Sequence, residues 1–166
     1  MMESYLSKLT VADVMHTEVV SVSADMGLVT ALATCRQQHS DFAVVMQAQQ
    51  IVGTISLQAI MRGLWSEEYD RHTSLTVADM MTTEFTAVAP ALAVNALIET
   101  LVVDKDTLFN VNDAGMLISP YLSYPQRLRL AFSGLEDVLP VIEAGDLKGL
   151  VSRAALADLL VAKLAS

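Results

Sequence analysis

The chain contains the same stretch twice, and that constrains its fold more than any other feature. Leu9-Thr10-Val11-Ala12-Asp13 recurs 66 residues later as Leu75-Thr76-Val77-Ala78-Asp79. The match runs on through Met15, Thr17 and Glu18 against Met81, Thr83 and Glu84, and Val22 against Val88, so 9 of 14 positions are identical across 9–22 and 75–88. Self-similarity at that level marks a duplication. A second pair of landmarks, Gly53-Thr54-Ile55-Ser56 and Gly149-Leu150-Val151-Ser152, is offset by 96. The second copy therefore carries about 30 extra residues, which the landmarks place within 104–137. The expected organisation is a first copy and linker over 1–74 and a second copy, with its insertion, over 75–166.

Composition narrows the class. Apolar residues make up 53% of the 166 and charged residues 17%, against usual shares of roughly 45–50% and 25%. A chain this apolar is not disordered, and the excess suggests a surface buried against another subunit. The net charge of −9 leaves no basic surface for nonspecific binding to nucleic acid or an anionic membrane. Mean hydropathy is +0.45, yet the greasy stretch 91–103 is broken by Asn95 and Glu99, short of the ~20 apolar residues of a membrane span. The first ten residues show no basic segment followed by an apolar one, as a secretory leader would. The single cysteine, Cys35, allows no internal disulfide. A cytoplasmic protein is the expectation.

Both copies read as strand, helix, strand, strand, helix, an α/β (α+β) arrangement. In the first, Val19-Val20-Ser21-Val22 is a short β-rich run, and Ser23 and Asp25 offer N-cap chemistry. Leu28, Ala31, Leu32 and Cys35 follow at helical spacing. Phe42–Met46 and Ile51–Ile55 form a hairpin around Gln47–Gln50, and Ser56 caps a helix carrying Ile60, Met61 and Leu64. In the second, Pro90 sits where a first helical turn tolerates it, and Ala93, Ala96, Leu97, Thr100 and Leu101 form a face. Leu139–Ile142 and Leu147–Val151 pair around Ala144-Gly145-Asp146, and Leu156, Leu159, Leu160 and Leu164 mark the last helix.

This run T-V-A-D-V-M, helix, hairpin, and G-x-x-S before a second helix resembles a CBS domain, and the two copies resemble a CBS pair, or Bateman module. The resemblance covers about 9–65 and 75–164. It implies tandem CBS repeats with clefts for adenosine-containing ligands such as AMP, ADP, ATP or S-adenosylmethionine. It also implies a stand-alone regulatory role rather than catalysis, a homodimer, and a regulated partner protein. The backbone at Val19-Val20 and at Phe85-Thr86 would line the adenine pocket. Leu139-Pro140 matches the usual entry to the second strand, whereas Phe42-Ala43 lacks the proline.

In the family pattern G-x-x-[ST]-x-x-D, a hydroxyl and free N–H groups at a helix start can receive a phosphate, helped by the helix dipole. A carboxylate one turn later can accept the ribose hydroxyls. This chain keeps Gly53 and Ser56, and Gly149 and Ser152, but has Ala59 and Ala155 at the carboxylate positions. Ser56 and Ser152 can equally be plain N-caps. Arg153 can reach a phosphate or lie solvated on the surface; its counterpart Leu57 cannot reach one. The rival function is thus a ligand-free dimerisation or interaction scaffold that has lost nucleotide binding.

The insertion reads as an extra hairpin, Leu108–Val111 and Met116–Ile118 around Asn112–Gly115, then a short helix over Pro125–Phe132 stopped by Gly134. Arg127 and Arg129 are a basic spot there, able to hold an anion or a carboxylate of a partner. His16, His39 and His72 lack metal-ligand spacing. Cys35 reads as core, and Asp13 and Asp79 as capping residues rather than a catalytic pair. Trp65 and Tyr69 read as an anchor or an aromatic recognition surface. No catalytic constellation and no phosphate-loop or dinucleotide fingerprint is present.

Overall fold

The computed structural model describes residues 5–70, 72, 74–118 and 121–165; the leader reading of residues 1–4 lies outside them. The elements run α1 (Val11–Val14), β1 (Ser21–Ser23), α2 (Leu28–Gln37), β2 (Phe42–Gln47), β3 (Gln50–Ser56), α3 (Leu57–Tyr69), α4 (Val77–Met80), α5 (Val94–Leu101), α6 (Lys105–Leu108), α7 (Tyr124–Leu130), β4 (Val138–Glu143), β5 (Asp146–Ser152) and α8 (Arg153–Leu164). Two compact units result, and neither coincides with one sequence copy. A hairpin unit comprises Met15–Ala89 and Val138–Val151, and a helical unit comprises the stretch up to Val14, Pro90–Asp137 and the stretch from Ser152.

The mixing arises because each copy's leading turn docks on the other copy's helix. In the hairpin unit, α4 of the second copy docks just ahead of the first copy's α2; its Val77 and Ala78 amides donate to the Met26 and Ala24 carbonyls, at 2.9 and 2.8 Å. In the helical unit, α1 of the first copy does the same 66 residues out of phase, Val11 and Ala12 donating to the Leu92 and Pro90 carbonyls at 2.8 and 3.0 Å. These bonds satisfy the N–H groups that a helix start leaves unpaired. Asp13 and Asp79 complete each turn by accepting from the Thr10 and Thr76 amides, both at 2.8 Å, which is the capping role expected of them.

The same docking explains two misplaced helix starts. Ser23 and Asp25 do not cap α2; Gly27 does, without a side-chain bond, because 23–26 is a turn closed by the Met26 amide on the Ser23 carbonyl at 3.2 Å, and its Ala24 and Met26 carbonyls are bonded to α4. Pro90 likewise lies ahead of α5, whose N-cap is Ala93, and serves through its carbonyl. The apolar face of α5 is Val94, Leu97 and Leu101, so Ala93, Ala96 and Thr100 are not its buried line.

In the hairpin unit, β1 pairs parallel to β2, and β2 antiparallel to β3. β2 is buried on both faces, as a continuous apolar run should be. Ala43 and Val45 join Val20, Val22, Leu28, Cys35, Ile55 and Ile60 in one core. Phe42 and Val44 pack with Leu150, Val19, Ile51, Val138 and Leu147 in another. The latter joins the two hairpins. Cys35 is fully buried, and desolvation pushes its thiol up.

The second copy's first strand shrinks to a single parallel bridge, Val88 to Val141, the counterpart of Val22 to Val45. Proline is the cause. The Val44 amide donates to the Val20 carbonyl at 3.0 Å, whereas its counterpart Pro140 has no N–H to give. The corresponding Thr86 carbonyl is left without a ladder donor.

In the helical unit, Val94, Leu97, Leu101, Val11 and Leu156 are buried. Of the leucines expected to define α8, only Leu156 is fully buried. The inserted segment leaves and returns at an antiparallel bridge between Val103 and Phe132. Within it, Leu108 closes α6 rather than opening a strand, and the extra hairpin holds by one bridge, Val111 to Leu117. The Asn112 side chain accepts from the Ala114 and Met116 amides across its turn. The short helix runs Tyr124–Leu130 instead of Pro125–Phe132, because Ser123 and Gln126 form a capping box at its start.

Candidate functional site

Two reciprocal contacts organise the hairpin unit. His16 and Leu150 exchange backbone hydrogen bonds of 2.7 and 2.8 Å, and Thr82 and Thr54 do the same at 2.8 and 3.0 Å. Each copy's leading segment thus lies along the last strand of the other copy's hairpin. Gly53 and Gly149 stand at these crossings. A Cβ on Gly53 would lie 2.8 Å from the Thr82 carbonyl oxygen, and a Cβ on Gly149 would collide with the His16 carbonyl oxygen. The glycines of the repeated G-x-x-S are therefore required for backbone approach, whatever else they do.

The serines that follow cap helices. Ser56 Oγ accepts from the Ala59 amide and Ser152 Oγ from the Ala155 amide, each at 3.1 Å. The first amide of each helix is also taken: Leu57 donates to the Asp41 carbonyl at 2.8 Å, and Arg153 to the Asp137 carbonyl at 3.0 Å. Little of either helix start remains for an anion, since a helix offers a phosphate its unpaired N–H groups.

Arg153 is held by its own unit. Nε and one terminal nitrogen donate to the Leu101 carbonyl at 3.0 and 2.8 Å, and that nitrogen also reaches Ser133 Oγ at 2.8 Å and the Leu135 carbonyl at 3.1 Å. The other terminal nitrogen pairs with Asp137 at 2.6 Å. Leu101 is the last residue of α5, where carbonyls lack helical partners and the dipole favours a cation. In the first copy, Asp41, the counterpart of Asp137, is paired instead with Arg36 at 3.2 Å. Nothing in the spacing of the sequence announces Ser133, Asp137 or the Leu101 carbonyl as partners of Arg153.

Of the remaining predicted residues, Val20, Leu139 and Pro140 are buried, Val19 and Phe85 are half-buried and Thr86 is exposed. Val19 packs in the core between the hairpins. Beside the Arg153 network, the helical unit has a groove of about 480 Å³ lined by Glu99, Thr100, Asp104, Lys105, Ser133 and Gly134 among others. A Lys105–Glu99 ion pair of 3.0 Å lies along it. Asp104 accepts from the Thr107 hydroxyl at 2.6 Å, and this bond, with those from the Thr107 and Asp106 amides, holds its carboxyl below the usual range. Among the described residues, no group of three or more His, Cys, Asp or Glu could hold a metal ion, and no helix is long and apolar enough to cross a membrane.

The sequence profile of the CBS domain matches residues 11–66. That segment, within the first copy, carries a CBS domain. The chain's fold is that of CBS domain pairs. A CBS domain-containing protein of unknown function from Bacillus anthracis str. Ames Ancestor superposes with a TM-score of 0.66 and 19% identity, covering 97% of this chain and 99% of that one. The CBS domain pair of protein MJ0100, in complex with 5′-methylthioadenosine and S-adenosyl-L-methionine, gives 0.63 and 13%, covering 93% and 97%. CBSX2 in complex with AMP gives 0.63 and 16%, covering 94% and 98%. Comparison with curated proteins returns no match. The profile spans only the first copy; the second shares with it the residues duplicated between 9–22 and 75–88.

Proposed function

We propose that this CBS pair, copies 1–74 and 75–166, is a cytoplasmic regulatory module. It senses an adenosine-containing ligand and passes its state to a partner protein, working as a homodimer. The observation that carries the reading is the asymmetry at Pro140. Because Pro140 cannot donate, the Thr86 carbonyl is left as a free acceptor beside Leu139 and Pro140, able to take a hydrogen bond from the exocyclic amine of adenine. In the first copy the equivalent Val20 carbonyl is closed off by the Val44 amide. Ligands of this kind occur in CBS pairs of the same fold, as in the complexes with AMP and with S-adenosyl-L-methionine.

The rest of the chemistry favours an adenosine without phosphates. Arg153 is engaged, the helix starts are largely occupied, and the chain carries −9, which repels a nucleotide anion and attracts the sulfonium of S-adenosylmethionine. The same facts support the rival reading, a scaffold that has lost its ligand, because Ala59 and Ala155 remove both ribose acceptors. Titration calorimetry on the intact protein separates the two. S-adenosylmethionine and AMP are titrated into the wild type and into Ala155→Asp. Saturable binding is expected for S-adenosylmethionine in the wild type. The restored carboxylate should tighten it about ten- to a hundredfold, since a hydrogen bond to a charged group contributes roughly 1.5–3 kcal/mol. No heat from either protein at millimolar ligand would establish the scaffold instead.

A further inference from the structure

The inserted segment carries a surface unlike the rest of the molecule. Of 17 large apolar side chains exposed among the described residues, 10 fall between Phe109 and Phe132. They include Ile118 at 54% exposure, Tyr121 at 81%, Tyr124 at 52%, Leu130 at 56% and Phe132 at 74%. The hairpin tip and α7 form one body, because Asn110 and Leu117 of the first and Arg127 and Leu130 of the second line one small cavity of about 110 Å³. At roughly 200 Å² per large side chain, the exposed apolar area is on the order of 1,000 Å². A monomer's largest apolar patch is about 300–600 Å², whereas a stable interface needs about 800 Å² from each partner.

Charge indicates what covers it. Residues 104–132 carry three acids (Asp104, Asp106, Asp113) and three bases (Lys105, Arg127, Arg129), so the whole net charge of −9 lies elsewhere. Two copies of a strongly acidic chain repel each other over most of their surfaces, but not here. Neither Arg127 nor Arg129 forms an ion pair with a described residue; Arg127 lies over the Tyr124 ring, 5.8 Å from its centroid. A two-fold contact presents the same patch on both sides, and so offers each copy's arginines the other's Asp106 and Asp113.

We infer that the inserted segment is the self-association surface of this protein, its occupant a second copy of the same segment. The inference rests on the homodimer part of the proposed function and not on its ligand. Sedimentation velocity of the full chain at micromolar concentration tests it, comparing the wild type with Tyr121→Glu/Phe132→Glu. A control, Trp65→Glu/Tyr69→Glu, alters the other exposed aromatic pair, on α3 (ring centroids 4.7 Å apart). The wild type and the control should sediment as dimers, and the insertion variant as a monomer, its dissociation constant raised at least about a hundredfold. Both altered side chains are exposed, so the melting curve should stay at the wild-type position. If it does not, Met116→Lys repeats the test at a third exposed site. A monomeric wild type overturns the homodimer reading and this inference together. A dimeric wild type whose insertion variants remain dimeric overturns this inference alone.

Discussion

Gly149→Val is expected to lower the melting temperature by roughly 5–10 °C, with no ligand involved. The backbone of 15–17 crosses β5 at this glycine, and any Cβ would meet the His16 carbonyl oxygen. That oxygen accepts from the Leu150 amide at 2.8 Å, so it cannot retreat without breaking the crossing. Overpacking a closely packed site costs typically 1–3 kcal/mol, and more when backbone must move. In a domain of this size each kcal/mol shifts the midpoint by about 2–4 °C. Gly53→Val should act in the same direction through Thr82. Thermal unfolding by circular dichroism is the measurement, and a midpoint unchanged in both variants would contradict the reciprocal crossing.

Arg153→Ala is expected to destabilise the protein by about 3 kcal/mol, because it strips the guanidinium from the Leu101 and Leu135 carbonyls and from Ser133 Oγ at once. Hydrogen bonds from a charged donor contribute roughly 1.5–3 kcal/mol, and acceptors left buried without a donor cost more. The ion pair with Asp137 adds little, since that carboxylate is largely exposed. Arg153→Lys should recover only part of the loss, as an ammonium cannot span the forked contacts. Urea unfolding of the three proteins checks this. A variant with wild-type stability but no response to nucleotide would mean that Arg153 serves a phosphate and not the fold.

Much of the architecture was legible because it is written locally. The landmark offsets 66 and 96 hold in three dimensions: Val22 pairs with Val45 as Val88 pairs with Val141. The hairpins, the serine caps and the Thr–Asp capping boxes likewise depend on residues a few positions apart. What was not legible is carried by backbone groups far apart in the chain. The exchange of α1 and α4 between copies consists of amide–carbonyl bonds, which leave no mark on side-chain choice except at Gly53 and Gly149. It also displaced the expected caps at Ser23 and Asp25 and the first helical turn expected at Pro90. Around the candidate site, Arg153 was visible as a cation, but its main acceptor is a carbonyl 52 residues away. The effect of Pro140 on Thr86 needed the register of the sheet before the missing donor could be seen.

Native-state hydrogen exchange at four amides, those of His16, Thr54, Thr82 and Leu150, tests most directly whether each copy completes the other. If it does, all four are protected to a similar degree and open with the hairpin amides of Val44 and Ile55. Exchange at His16 and Thr82 as fast as in an unstructured loop, while Val44 and Ile55 stay protected, would show two independent hairpins and remove the basis for a single sensing module.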